Sequence, residues 1–375
     1  MSSMKILLVV WNFYPNTAYT NRIKATVKGF EENGCRCDVL SIKPLTVSDE
    51  ICLNKECVPE SSKIRTLLGM LRNYRLLKQS IKHYDVIYST TGNVKVDGKC
   101  IDLAHKYGKV VVHERTEFPD IFYGKSKGAL KALEVYLYQV KKYDRLFVIS
   151  NPIKDYFVEN GMPEEKISIY PMIVDPNRFT NIQKQDVGYR YIAYCGNLSN
   201  SKDGLADLIE AYGQTKVKAT HKLMLIGAKP LESEMMIYEE LIKKYGITKQ
   251  VVFRGSVERD EMPQMLTDAD LLVLSRPNNR QALGGFPTKL GEYLSTGNPV
   301  LVTRVGDIDK YIVDGENGYL SAPDDVEEFS KKIDGVFADY ETAKRVGMRG
   351  KELVYNEFNY NVQTKHVVEQ LEKLV

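Results

Sequence analysis

Short runs of β-branched and aliphatic residues alternate with helical stretches along the whole chain, and the alternation starts afresh past its middle. That order is the signature of parallel strands covered by crossover helices. In the first half the expected strands are Lys5–Val10, Cys37–Ser41, Val86–Ser89, Val110–His113, Arg145–Ile149 and Ile167–Tyr170. Helices are expected near Asn21–Asn33, Val96–Tyr107, Gly128–Tyr143 and Pro152–Asn160. In the second half Tyr191–Tyr194, Leu223–Ile226, Val251–Arg254, Leu271–Leu274 and Val300–Thr303 read as strands. Helices there fall near Gly204–Thr215, Glu232–Tyr245, Arg259–Thr267 and Thr288–Thr296.

The expected fold class is α/β, with two doubly wound sheets facing each other across a cleft at the carboxyl ends of their strands. A chain of 375 residues suits two domains, at roughly 150 residues each. Pro171–Gln185 is polar and rich in turn formers around Asp175-Pro176-Asn177, and is the expected linker. The first domain is expected over 1–175 and the second over 186–357. From Glu327 the chain reads as successive amphipathic helices, interrupted near Glu357–Tyr360. The last of them, within about 358–375, is expected to cross back to the first domain.

Composition removes several classes of function. With 43% hydrophobic and 27% charged residues the chain is an ordinary globular one. Fifty-two basic against 49 acidic side chains leave a net charge of +3, which makes no case for a nucleic-acid binder. No run approaches the roughly 18 apolar residues of a spanning helix, and Ile6–Val10 is too short for a signal-peptide core. The six cysteines are scattered, so reduced thiols and a cytoplasmic location are expected. Cys35-x-Cys37 and Cys52-x4-Cys57 lack the histidine pair or second CxxC that would complete a tetrahedral metal set, and no metal or cofactor is expected.

The segment Gly284-Gly285-Phe286-Pro287-Thr288-Lys289-Leu290-Gly291-Glu292 leads into a helix. Its two glycines let the backbone approach a ligand closely, and a proline at a helix start loses no hydrogen bond. Free N–H groups of the first turn favour an anion, and Lys289 adds a full positive charge. Glu292 lies one turn further in, where a carboxylate accepts two hydrogen bonds from a vicinal diol such as a ribose. Such a pairing of an anion end and a diol end suits a nucleoside diphosphate. The plainer reading is a glycine-proline helix start with a favourable first-turn charge. A second segment adds weight: Tyr194-Cys195-Gly196-Asn197-Leu198-Ser199-Asn200-Ser201-Lys202-Asp203-Gly204 follows the first strand of this half. Doubly wound folds hold phosphates there, and Lys202 is a second cation.

Together these segments resemble the retaining nucleotide-sugar glycosyltransferases of the GT-B fold, family 4 in particular, with specificity mainly in the C-terminal half. The resemblance implies two Rossmann-like domains, the first for the acceptor and the second for the donor. Lys202 matches the family's phosphate-binding lysine, with Asp203 interposed before Gly204, and Asn197 stands where an arginine is common. Glu292 matches the second glutamate of a Glu-x7-Glu element, whose family role is to hold the ribose; Gly284 occupies the place of the first. The form Gly285-Phe286-Pro287-Thr288-Lys289 resembles a branch common among bacterial surface-polysaccharide transferases, where this turn looks suited to the diphosphate. Arg254-Gly255-Ser256-Val257 resembles the base-binding loop, in which backbone groups near Val257 would read the nucleobase edge.

In the first half no Gly-x-Gly-x-x-Gly follows the first strand, which counts against a nicotinamide or flavin enzyme. By resemblance, Asn16 and Thr17 line the cleft near the diphosphate and acceptor; a plain strand-to-helix turn is the alternative. His113-Glu114-Arg115-Thr116-Glu117-Phe118-Pro119 sets four ionisable groups after a strand end and resembles an Arg-Asp-x-Trp-Pro stretch of related transferases. A carboxylate at Glu117 would orient or deprotonate an acceptor hydroxyl, with His113 and Arg115 beside it. A structural Arg–Glu pair or a solvated loop is the alternative.

Two further features carry less. Asp268-Ala269-Asp270 has the spelling of a metal-binding DxD but reads as a helix end and strand start. Lys63, Arg65, Arg72, Arg75, Lys78 and Lys82 have no acidic residue among them between Ser61 and Tyr84. A helix over 61–84 would suit peripheral contact with anionic lipid, near a lipid-linked acceptor at the inner face of the membrane. Its apolar stripe Ile64, Leu67, Leu68, Leu71 changes face around Asn73, and a solvated helical hairpin is the alternative.

The expected function is transfer of a hexose-type sugar from a nucleoside-diphosphate donor, UDP-linked, to a hydroxyl of a saccharide or lipid-linked acceptor. Retention of configuration follows from the resemblance only. Catalytic candidates are Lys289, Glu117 and His113. A UDP-sugar epimerase or phosphorylase on the same fold, and a non-catalytic nucleotide-sugar binding partner, are the competing readings.

Overall fold

The computed structural model describes residues 3–59, 61–124 and 126–375. The chain forms two units, Met1–Ile173 with Tyr360–Val375, and Val174–Asn359. Each is built on a six-stranded sheet whose paired neighbours all run parallel.

In the first unit β1 (Lys5–Val10), β2 (Arg36–Ser41), β3 (Val86–Ser89), β4 (Val110–Arg115), β5 (Arg145–Val148) and β6 (Ile167–Ile169) lie in the order β2-β1-β3-β4-β5-β6. Ile6 through Val10 are each 0% exposed. A parallel strand covered by helices on both faces needs apolar residues at every position rather than at alternate ones, and this run supplies them. The helix Tyr360–Leu371 packs on the helix Ala18–Glu32. Gly29 permits the approach, since a side chain there would overlap Thr364. The Tyr360 hydroxyl donates to Glu32 Oε1 at 2.8 Å, and Val367, Val368 and Leu371 join Ile6, Leu8 and Phe30 in one core.

In the second unit β7 (Arg190–Cys195), β8 (His221–Ile226), β9 (Val251–Gly255), β10 (Leu271–Leu274), β11 (Val300–Thr303) and β12 (Tyr319–Ser321) lie in the order β12-β11-β10-β7-β8-β9. The expected α/β class, the doubly wound sheets and the return of the C-terminal helix to the first unit are all present.

Three local expectations need correction, and one strand was not foreseen. β4 runs to Arg115, because Glu114 and Arg115 continue the ladder opposite Phe147 and Val148 of β5. β12 is short and polar enough to escape a pattern search. Residues 63–80 form one continuous helix rather than a hairpin. The segment 171–185 is not free linker: Phe179 is buried, and Lys184 Nζ donates to Asp270 Oδ1 at 2.7 Å and to the Ala269 carbonyl at 2.9 Å. Among the described residues no helix is long and apolar enough to cross a membrane.

Candidate functional site

The strand order of the second unit sets where a ligand fits. From β7 the chain proceeds to β8 and β9 on one side, then crosses to β10 on the other. The carboxyl ends of β7 and β10 therefore flank the switch point at which open parallel sheets bind ligands. Gly196 follows the end of β7, and Ser275-Arg276 follows the end of β10.

A third element closes on this point. The helix Thr288–Thr296 is anchored by Tyr293, fully buried, whose hydroxyl accepts from the Cys195 N–H at 2.6 Å and donates to the Cys195 carbonyl at 3.1 Å. Lys289 lies four residues earlier, on the same face of the helix. Tying Tyr293 to the last residue of β7 thus carries Lys289 over that strand's end. Its Nζ donates to the Tyr194 hydroxyl at 2.9 Å and pairs with Asp203 Oδ2.

Asp203 is the hub. It is 1% exposed and accepts from the Tyr194 hydroxyl at 2.7 Å. Arg276 Nε stands 3.8 Å from its other oxygen, and Arg276 Nη1 donates to the Gly285 carbonyl at 2.9 Å. Gly204, at φ +62°, ends the short helix Asn200–Asp203; a side chain there would overlap the Ser275 carbonyl, so only glycine brings the two loops together. One buried carboxylate therefore sits between two cations beside the glycine turn. Burial holds Lys289 below the usual lysine range, against the pull of Asp203 and with a contribution from nearby Lys202. The Thr288–Thr296 helix has no side-chain cap on its first-turn amides. Backbone donors and a lysine ammonium meet at one place, which is the chemistry of an anion site.

Glu292 is three residues beyond Lys289 on the same helix. Its Oε1 accepts from Arg178 Nη1 at 2.7 Å, and Arg178 Nη2 donates to the Arg259 carbonyl at 2.7 Å. The segment expected to be linker thus supplies the cation that orients this carboxylate.

The remaining donor-side candidates divide. Gly196, Gly284, Gly285, Pro287, Thr288 and Lys202 belong to the two segments that carry Lys289 and Asp203. Asn197 is exposed, and its carbonyl oxygen lies 2.6 Å from the Tyr194 hydroxyl oxygen. Val257 is half-buried in the loop after β9. Phe286 is a correction: it is buried with ring contacts to Tyr311 at 5.4 Å and Phe358 at 5.5 Å, and serves as a core anchor for the turn.

In the first unit the candidates stand differently. Asn16 adopts a left-handed φ of 60°, and the Thr17 side chain caps the helix Ala18–Glu32 by accepting from the Thr20 N–H at 3.1 Å. His113 is a second correction. It lies inside β4 and is fully buried, stacked on Tyr143 at 4.9 Å with Nε2 3.0 Å from the Tyr136 hydroxyl. Burial, then Arg115, pushes its pKa well below the usual histidine value. Glu114 forms the structural pair foreseen as the alternative, with Arg22 Nε at 2.6 Å and the Tyr88 hydroxyl at 2.7 Å. Arg115 is buried between Phe122 and Tyr136, 5.1 and 5.4 Å from their ring centroids. Glu117 follows β4, half-buried.

The DxD spelling is structural as read. Asp268 Oδ1 accepts from the Gln185 N–H and from Gln264 Nε2, both at 2.7 Å, and Asp270 pairs with Lys184 and Arg190. Sequence reading missed Asp203, Arg276 and Arg178. Arg276 carries a usable signal, being the first charged residue after an all-apolar strand whose end faces the switch point.

Residues 177–353 match the family described as Glycosyl transferases group 1. The colanic acid biosynthesis glycosyltransferase WcaL of Salmonella typhimurium is 25% identical over 268 residues, covering 69% of this chain and 65% of that protein. N-acetyl-alpha-D-glucosaminyl L-malate synthase of Bacillus anthracis is 27% identical over 168 residues, 45% of this chain and 40% of that one. The matched regions thus span less than two thirds of these relatives. Among solved structures, Anabaena Alr3699/HepE in complex with UDP and glucose superposes with a TM-score of 0.75 at 18% identity, covering 99% of this chain and 100% of that one. The apo lipopolysaccharide outer core galactosyltransferase WaaB gives 0.69 at 16% identity, covering 99% and 100%. These likenesses place the fold as GT-B.

Proposed function

We propose that this chain, a GT-B protein carrying a glycosyl transferases group 1 match over 177–353, transfers a hexose-type sugar from a nucleoside-diphosphate donor to a hydroxyl acceptor. The donor is UDP-linked and the acceptor a saccharide or lipid-linked sugar in surface-polysaccharide synthesis. Transfer proceeds with retention and without a metal, and the chain works peripherally at a membrane surface through 61–84. The relatives named for polysaccharide synthesis and the UDP complexes of the structural neighbour support this reading.

One observation carries it: Lys289 and Arg276 converge on the buried Asp203 where the uncapped Thr288–Thr296 helix begins. In the proposed mechanism the diphosphate settles on Lys289, Lys202 and the amides of 285–289, with Glu292 on the ribose. As the glycosidic bond breaks, its electron pair leaves with the diphosphate, the acceptor oxygen bonds to the anomeric carbon, and its proton passes to a diphosphate oxygen. Fixed donors that tighten on that growing charge are each worth a factor of about 100 to 1000 in rate. In the first unit Glu117 and Arg115 stand as acceptor-side candidates, Glu117 orienting the hydroxyl. His113, closed in the core, acts on neither substrate.

The test is a thermal-shift panel of UDP-, GDP-, ADP- and TDP-sugars followed by product analysis with each stabilising donor. A ligand specific for the folded state raises its stability by mass action. UDP-sugars alone should raise the melting temperature, and nucleotide release should accompany transfer. Isomerised donor in the absence of acceptor would point to the epimerase, and binding without turnover to the silent partner.

A further inference from the structure

Arg115 is a buried charge with no counter-charge in contact. It ends β4 and is 7% exposed, yet among the described residues its guanidinium makes no ion pair and donates no hydrogen bond. Arg22, equally buried, is satisfied: Glu114 meets it at 2.6 Å, and the carbonyls of Pro171 and Tyr170 accept from it at 2.7 and 3.0 Å. Asp97 attracts Arg115 only from a distance. Its Oδ1 is taken by the hydroxyls of Ser89 at 2.6 Å and Thr91 at 2.7 Å, and burial raises its pKa, so it compensates Arg115 only in part. A buried cation left in this way costs free energy that a bound anion offsets.

The place of Arg115 in the sheet is that of a ligand site. In the first unit the chain runs from β1 to β2 on one side and then crosses to β3 on the other, so the switch point lies at the carboxyl ends of β1 and β3. The turn that follows β3 reaches Arg115, since a β-carbon on Gly92, at φ +61°, would overlap Arg115 Nη1. That turn is pinned on both sides: the Tyr123 hydroxyl donates to the Gly92 carbonyl at 2.6 Å, and the Tyr19 hydroxyl is hydrogen-bonded to Thr90 Oγ1. The rings of Phe122 and Tyr136 stand 5.1 and 5.4 Å from the guanidinium carbon, and Phe122 is 55% exposed, so this wall reaches solvent. Nε is sealed in the interior, which leaves Nη1 and Nη2 to meet a ligand. A guanidinium resting on aromatic faces has its plane fixed, and its N–H edge matches a planar carboxylate in parallel hydrogen bonds. A single guanidinium balances one carboxylate, whereas a phosphate monoester carries nearly two charges at neutral pH.

We propose that Arg115 holds a carboxylate carried by the acceptor, which makes the acceptor an acidic saccharide of the uronic acid kind rather than a neutral one. The proposal rests on the first unit being the acceptor side of the transfer proposed above. Glu117, two residues further on, then meets the accepting hydroxyl of the same molecule, and the guanidinium sets the register between that hydroxyl and the carboxylate. Arg115 acts as a specificity residue, and no bond is made or broken at it.

The test is ligand-observed NMR titration of the full chain, first saturated with UDP so that the anion site of the second unit is filled. The probes are methyl glucuronide, methyl glucoside (the same ring without the carboxylate) and methyl phosphate. Methyl glucuronide should bind at least about tenfold more tightly than methyl glucoside, the worth of a charge-assisted hydrogen bond. Arg115→Met should erase that preference, and Arg115→Lys, which keeps the charge and loses the fork, should restore only part of it. If Arg115→Met fails to melt cooperatively, the comparison with Arg115→Lys decides alone. Equal binding of the two glycosides by the parent overturns the proposal, as does a preference that survives in Arg115→Met or is undiminished in Arg115→Lys. Tighter binding of methyl phosphate than of methyl glucuronide also overturns it and gives the guanidinium to a phosphate. A parent that takes up no UDP sinks the nucleotide-sugar reading instead, while the glucuronide preference and its loss in the variants still judge Arg115.

Discussion

The side chain of Lys289 fills the space that a β-carbon at Gly196 would occupy: both its Cε and its Nζ would overlap that atom. Gly196 also holds φ at +155°, at the edge of the region that disfavours other residues. Glycine here is a requirement of the lysine rather than of the strand end alone. Gly196→Ala should therefore push the ammonium away from Tyr194 and Asp203, at a stability cost of about 1–3 kcal/mol from overpacking. The UDP-induced rise in melting temperature should shrink with it. A variant that keeps the parent's UDP shift would remove Gly196 from the site.

Lys289→Ala tests charge and fold separately. Turnover should fall by about 100- to 1000-fold as a fixed donor to the leaving diphosphate is lost. The substitution also strips a buried carboxylate of its nearest cation, so the melting temperature should drop as well. Adding Asp203→Asn removes the orphaned charge. The double variant should regain stability while turnover stays low. Recovery of turnover along with stability would show that the lysine matters only to folding.

How much of this was legible follows from how local each cause is. β1, β3, β10, β11 and the helix Thr288–Thr296 take the bounds expected from sequence, because every strand position but Lys5 is buried and Gly297, at φ +82°, ends the helix. Lys289 and Glu292 stood out for the same reason, since one helix start carries both. β4 did not, because Glu114 and Arg115 read as loop. Glu114 is admitted to a strand by Arg22, 92 residues away. Asp203 read as an interruption between Lys202 and Gly204, and its partner Lys289 is 86 residues on. Arg178 lies 114 residues from Glu292, inside what composition alone makes a linker. Partners at such separations are invisible until the sheet order brings them together.

Glu292 and Arg178 define a prediction about the ribose. If Glu292 holds the diol, Glu292→Ala should weaken UDP binding roughly tenfold, the worth of a charge-assisted hydrogen bond. Against 2′,3′-dideoxy-UDP the same substitution should cost almost nothing, since the diol is already gone. Arg178→Ala should resemble Glu292→Ala more weakly, because it frees the carboxylate without deleting it. Isothermal titration of both nucleotides against the three proteins closes the cycle. Equal losses for UDP and its dideoxy form would rule out the ribose contact.

Asp270 sets the acid limit of the second unit. Its side chain is 6% exposed, with Lys184 Nζ at 2.7 Å, Arg190 Nε at 3.2 Å and His221 Nε2 at 3.5 Å. Burial alone would raise its pKa, but His221, Lys184 and Arg190 outweigh burial and hold the carboxyl well below the usual range. A folded pKa below the unfolded one gives stability that is complete above about pH 4 and lost as pH falls through the lower folded value. Asp270→Asn removes the charge at every pH. The variant should be less stable than the parent by about 2 kcal/mol at neutral pH, the worth of its charged hydrogen bonds. That gap should narrow steadily as denaturation is repeated below about pH 4, because the unfolded chain takes up a proton there while the folded carboxylate is still charged. A gap of constant size from neutral to strongly acid pH would mean that shape rather than charge fixes Asp270 in place.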